Sequence, residues 1–157
     1  MTGTPYRIFD ASARATVQSL CTSMRHAALA VFDHDQGFPH ISRIALQAAD
    51  DGGAVALLSA LARHTALLRR NPRAALMIEA KDDTPGNMMA RPRLSLSVVA
   101  TQLPTTEARL ACWIERDPKS SAYARLPDFS FWRFAPQSGI LIAGFGMAYR
   151  FDAAEIE

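Results

Sequence analysis

Arg63, His64 and Thr65 stand together in the stretch LLSALARHTALLRRNP, residues 57–72, where a strand pattern turns at Ser59–Ala60 into a short helical one that must stop before Pro72. Helix starts favour acidic residues, because their unpaired amides carry partial positive charge. Two basic side chains at such a place are unfavourable unless an anion sits among them. Their combined chemistry is that of a phosphate cradle: backbone amides at the helix start, a hydroxyl donor from Thr65, a ring N–H from His64 and a guanidinium fork from Arg63. Arg43 lies on the strand before the next hairpin, within reach of the same end of the molecule. The same residues also read as a solvated basic helix face, a common arrangement.

Two other groups carry potential chemistry. In GFGMA, residues 144–148, glycine within a strand either lets a ligand or another backbone approach closely or marks a bulge. Trp113, Phe129, Phe131, Trp132, Phe134, Met88 and Met89 offer flat apolar walls for a planar ligand, or ordinary core packing. His26, His34 and His40 have no metal-ligand spacing, and His34 between Asp33 and Asp35 reads as a solvated turn. There is no nucleophile elbow, phosphate-binding P-loop or dinucleotide glycine fingerprint, and no carboxylate pair suited to acid–base work, so no catalytic side chain is assigned.

The elements that must position these residues follow from pattern and composition. The 157 residues fit a single domain, 1–157. A formal net charge of +2 gives no electrostatic footprint for nucleic acid. Cys21 and Cys112 match neither a disulfide framework nor a zinc site, which fits free thiols in a reducing compartment. No signal-peptide core or bilayer-length apolar run is present, so no membrane partner and a cytoplasmic location are expected.

Asp10 or Ser12 can cap a helix running to about Arg25, with Ala15, Leu20 and Met24 buried. Strands are expected over 28–33, 40–48, 54–60, 73–80, 93–103, 128–134 and 139–151, with turns at 34–39 and 49–53 and a loop over 81–92. Helices are expected over the basic stretch, over 105–117 behind Thr105 or Thr106, and briefly after Pro118. Antiparallel strands with short helices predict a closed or nearly closed barrel, because closure removes exposed edges.

The ordered segments LSALARHTALL, DPKSSAY, PDFSFWRF and AGFGMAYRF, together with GFPHISRIAL and RPRLSLSVVA, resemble the pyridoxamine 5′-phosphate oxidase-like FMN-binding split-barrel superfamily, near its heme-utilisation (HugZ-type) branch. The resemblance runs from about residue 25 onward. It implies a mostly β, α+β fold: a six-stranded antiparallel split β-barrel with short flanking helices, forming a homodimer with two FMN sites at the interface. It implies that Arg43 and Arg63, His64 and Thr65 hold the FMN phosphate, and that Ser42, Ile44, Leu58 and Ser59 line the flavin. The partner chain's contribution is expected from Trp113 and the Phe145 region. DFSFWRF and GILIAGFGMAYRF carry more apolar side chains than one small barrel interior holds, which predicts a large apolar interface. The implied activity is that of an oxidoreductase acting on a small-molecule redox substrate. The end YRFDAAEIE offers only Arg150 where pyridoxamine phosphate oxidases carry a basic strand, so vitamin B6 oxidation is not expected. The alternatives are a heme-binding protein on the same fold and a non-catalytic flavin binder.

Overall fold

The computed structural model describes residues 5–49, 53–81 and 87–156. Turn residues 50–52 and loop residues 82–86, both anticipated from sequence, lie outside the described residues. Helix α1 (Ala11–Ser23) begins where the Asp10 side chain accepts from Ala13 N at 2.8 Å, and it ends at Met24 rather than Arg25. Its buried face is Ala13, Val17, Leu20 and Met24; Ala15 faces solvent, one helical position away from the expected stripe.

Strands β1 (His26–Asp33) and β2 (Phe38–Ala45) form a hairpin across a turn in which Gly37 adopts φ 74°. After the single residue Leu46 come β3 (Gln47–Ala48), β4 (Ala54–Ser59), α2 (Arg63–Arg70) and β5 (Arg73–Glu79). Then follow β6 (Arg93–Leu103), α3 (Glu107–Arg116), β7 (Phe129–Gly144) and β8 (Met147–Asp152). All ladders between them are antiparallel. The sheet order is β2-β1-β5-β6-β7-β4-β3, with β8 added on β7.

Among the described residues the sheet thus has eight strands rather than the expected six, and no ladder closes it. β2 and β4 approach each other without a ladder. The two ends of the sheet, β2 and β3, are instead joined covalently through Leu46, which is fully buried. The expected break between residues 134 and 139 is also absent, because β7 runs on through Pro136. Proline cannot donate to a ladder and is tolerated at a bulge. Here the β6–β7 register shifts between Ser97 and Val98, opposite Pro136 to Ser138, and the strand continues.

Alternation along β4 and β7 splits the core in two. Ala56, Leu58, Trp132 and Phe134 face the main core with Leu29, Leu76, Leu94 and Phe151. Leu57 and Phe131, paired across the ladder, face the other way and pack under α3 with Leu110, Trp113 and Ala124. Phe131, Trp132 and Phe134 are therefore buried within the chain, so DFSFWRF is not the surface patch expected from its composition. The aromatics serve as packing, and GFGMA is a bulge and turn: the β7–β8 register shifts between Ile142 and Gly144, and Gly146 has φ 67°.

Gly139 has a different role. A Cβ there would overlap the Phe151 ring and lie 2.9 Å from Leu96 Cδ2. Phe151 is buried and has little room to yield. Gly139→Ala is expected to destabilise the fold by about 1–3 kcal/mol, read as a lower urea midpoint at unchanged slope; a wild-type midpoint would show that the core relaxes around the methyl.

Candidate functional site

Helix α2 starts at Ala62 without a side-chain cap, and its first turn holds no acidic residue. Its inner face, Thr65, Leu67 and Leu68, packs against the sheet. Thr65 is fully buried, and its Oγ1 has no hydrogen-bond partner among the described residues. Leaving a buried hydroxyl unpaired costs about 1–3 kcal/mol. His64, half-buried, shares a 3.0 Å hydrogen bond between Nδ1 and Ser42 Oγ on β2. Arg63 is not free: Nε donates to Asp33 Oδ2 at 2.8 Å and Nη2 donates to the same oxygen. This guanidinium holds the buried Asp33 carboxyl below the usual carboxylate range.

The structure brings together Ser42, Arg63, His64 and Thr65. Arg43 lies on the opposite face of β2 from Ser42, exposed, with no ion pair among the described residues. Ile44 and Leu58 have buried side chains in the core. Ser59 donates to Asp128 Oδ2 at 2.5 Å, which anchors the β4–α2 corner to the start of β7. Trp113 lies on the buried face of α3, edge-on to Phe131, and Phe145 is 97% exposed at the β7–β8 turn; neither joins the α2 cluster within the chain. Arg69 and Arg70 are both exposed, and Arg70 donates to Asp35 Oδ2 at 2.7 Å.

A concavity of about 490 Å³ opens between α3, β3, β4 and β7. Gln47, Arg109, Cys112, Trp113, Arg116, Phe131 and Arg133 line it, and no carboxylate does among the described residues. Gln47 Nε2 donates to Trp113 O at 3.1 Å, tying the floor to α3. Arg109 lies over the Phe131 ring at 5.9 Å, and Arg116 donates to Ala48 O at 2.7 Å. This basic lining was legible in principle, because Arg109, Cys112, Trp113 and Arg116 recur at three- and four-residue steps on one helix face. Asp33 was also missed, since beside His34 and Asp35 it reads as solvated turn. Cys112 is exposed, whereas burial pushes the Cys21 thiol up to about 11 and leaves it unreactive. The described residues contain no metal-binding cluster and no helix long and apolar enough to cross a membrane.

The fold has known counterparts. A solved chain with 43% identity superimposes at a TM-score of 0.89, covering 96% of this chain and 98% of that one. A structure described as related to general stress protein 26, of the pyridoxinephosphate oxidase family, from Clostridium acetobutylicum superimposes at 0.72 with 16% identity, covering 94% and 99%. The chain thus shares the fold of pyridoxamine 5′-phosphate oxidase-like proteins. Among curated proteins, this chain is 28% identical over 127 residues to the heme oxygenase HutZ of Vibrio cholerae, covering 77% of this chain and 71% of that protein. No family model matches the sequence.

Burial, and then the charge of His40, lowers the His64 pKa from the ordinary imidazole value of 6.5. Between the two values the unfolded barrel binds more protons than the folded one, so stability falls as pH drops below 6.5. Asp33 does not contribute in this window, because its stabilisation is present above 3.8 and lost only below it. The ligand-free protein should therefore show a lower denaturation midpoint at about pH 5.5 than at about pH 7. His64→Gln should flatten that slope, and equal slopes for the two proteins would exclude His64 as the source.

Proposed function

We propose that this protein is an FMN-binding homodimeric oxidoreductase acting on a small molecule. The observation that carries this reading is the buried, unpartnered hydroxyl of Thr65 on the uncapped, acid-free first turn of α2, next to Arg63 and His64. That donor set fits a phosphate monoester, which brings several acceptor oxygens and negative charge to the positive end of a helix. Thr65 Oγ1, the first-turn amides, His64 and the outer edge of the Arg63 guanidinium would hold the phosphate. Arg43 stands on an edge strand and can turn over that edge toward the same point.

From Arg43 the chain runs out of β2 through Leu46 to Gln47 in β3, four residues on and roughly 13 Å if extended at strand rise. A ribityl arm can follow this path and deliver a ring system toward the concavity under α3. Along it Ile44 and Leu58 would contribute backbone, their side chains being committed to the core, while Ser42 and Ser59 add hydroxyls. When bound, FMN supplies reversible electron acceptance; the protein supplies position, charge and access.

A second copy would cover the exposed apolar strip of Phe32, Ile41 and Met77 on the outward face of β1, β2 and β5. Ile41 pairs with Ala30, and Ala30 with Ala75, so between the large residues this face is flat and small-residued. Phe145, almost wholly exposed, is suited to reach into the partner's flavin site. The unpaired cysteines accord with a reducing, cytoplasmic setting. The likeness to HutZ favours one further reading, a heme-binding protein on the same barrel. The absorption spectrum of the purified protein separates them: flavin bands support the first, and a Soret band alone overturns it.

FMN should bind much more tightly than riboflavin. Arg43→Ala or Thr65→Val should each weaken FMN binding roughly ten- to a hundredfold, the range for a charge-assisted hydrogen bond, with riboflavin affinity little changed. Arg69→Ala and Arg70→Ala should leave both affinities within about twofold, because an exposed ion pair contributes little. Fluorescence titration gives all of these constants, and equal affinity of the wild type for the two flavins would reject the phosphate assignment. Sedimentation at low micromolar concentration should show a dimer; a monomer that retains flavin would reject the shared site.

A further inference from the structure

We propose that Asp33 is a positioning residue for anion recognition, fixing one edge of the Arg63 guanidinium so that the other edge is presented to the phosphate. This rests on the flavin-phosphate reading above and adds a residue that neither the sequence pattern nor that reading assigned.

Asp33 closes β1, and its carboxylate is held before Arg63 reaches it. Oδ1 accepts from Asp35 N at 3.1 Å and from Gln36 N at 3.3 Å, and Gly37 N donates to the Asp33 carbonyl at 2.8 Å. The turn therefore fixes the carboxylate, and the carboxylate fixes the arginine. Only Oδ2 is offered to Arg63, which meets it with Nε and Nη2. A guanidinium has five N–H donors, so Nη1 and one hydrogen of Nη2 stay available at the opposite edge. The exposures match this division: the Asp33 side chain is 4% exposed and that of Arg63 47%. The buried partner orients, and the half-exposed partner presents.

The helix is braced at its other end by the same turn, since Arg70 pairs with Asp35. Both ends of α2 are thus referenced to residues 33–35. A long, flexible side chain normally loses rotamer freedom when it binds an anion. Here that freedom is already lost in the ligand-free protein, which is the condition for preorganised binding. A carboxylate that merely competed with the ligand would lie level with it, on the exposed side of the arginine.

The test is a double-mutant cycle on the ratio of riboflavin to FMN dissociation constants, measured for wild type, Asp33→Asn, Arg63→Ala and the double variant. The ratio isolates the phosphate, because both flavins share the ring and ribityl contacts; a change that only loosens the fold moves both constants together. Asp33→Asn should lower the ratio roughly tenfold, and it should have no further effect once Arg63 is alanine. An unchanged ratio in Asp33→Asn would make Asp33 a fold residue only, and a raised ratio would make it a competitor of the phosphate; either overturns the proposal. Should Asp33→Asn fail to fold, Asp33→Glu keeps the charge but moves it by one methylene: a lowered ratio supports positioning, and a wild-type ratio overturns it. If the wild type itself shows no preference for FMN, the flavin-phosphate reading fails first and the positioning role falls with it.

Discussion

A short helix can offer its amide end to a ligand only if other parts of the molecule hold it still. Helix α2 has eight residues, too few to be stable alone. Its inner face is pinned by Leu67 and Leu68, and its ends by the ion pairs to Asp33 and Asp35. The two pairs differ in kind. The carboxylate at the N-terminal end is buried and shielded from salt; the pair at the C-terminal end is exposed on both sides and screened within a Debye length. The end that faces the candidate site is therefore the better secured.

The barrel places that helix by an unusual economy of chain. β2 and β3 occupy opposite ends of the sheet order yet are separated by one residue, Leu46. The split between β2 and β4 brings Ser42 to His64, and the continuation to Gln47 meets α3. The α2 cluster and the concavity under α3 are thus connected by a single extended segment. The division of the core by β4 and β7 serves the same end: Leu57 and Phe131 seat α3, which supplies the arginines on the far side.

Much of this was legible in the residues. The Asp10 cap, the hairpin at Gly37, the alternation of β6 and the Thr106 cap of α3 are local signals, and the structure has each of them. The helix start at Arg63 was legible too; the family resemblance implied Arg43 as the β2 residue of this cluster, whereas the fold sets Ser42 against His64. What was not legible depends on long-range pairing. Pro136 reads as a strand break unless the bulge beside it at Gln137 of β7 is known. The aromatics of 129–134 read as surplus apolar surface unless α3 is known to cover one face of β7. Asp33 reads as a turn residue until Arg63, thirty residues on, is seen against it. That Arg43 and Ser42 point to opposite faces was implicit in strand alternation, and the sense of each face came only from the fold.

The unladdered split carries a liability of its own. β2 leaves one row of backbone donors and acceptors without strand partners, beside the exposed side chains of Phe38 and Ile41. Such an edge is a template for intermolecular β-pairing and aggregation. Two residues of β2 blunt it: Pro39 cannot donate to an added strand, and Arg43 brings a charge that a growing stack would have to desolvate. In this light Arg43 guards the β2 edge against strand addition, and its replacement bears on solubility independently of any ligand.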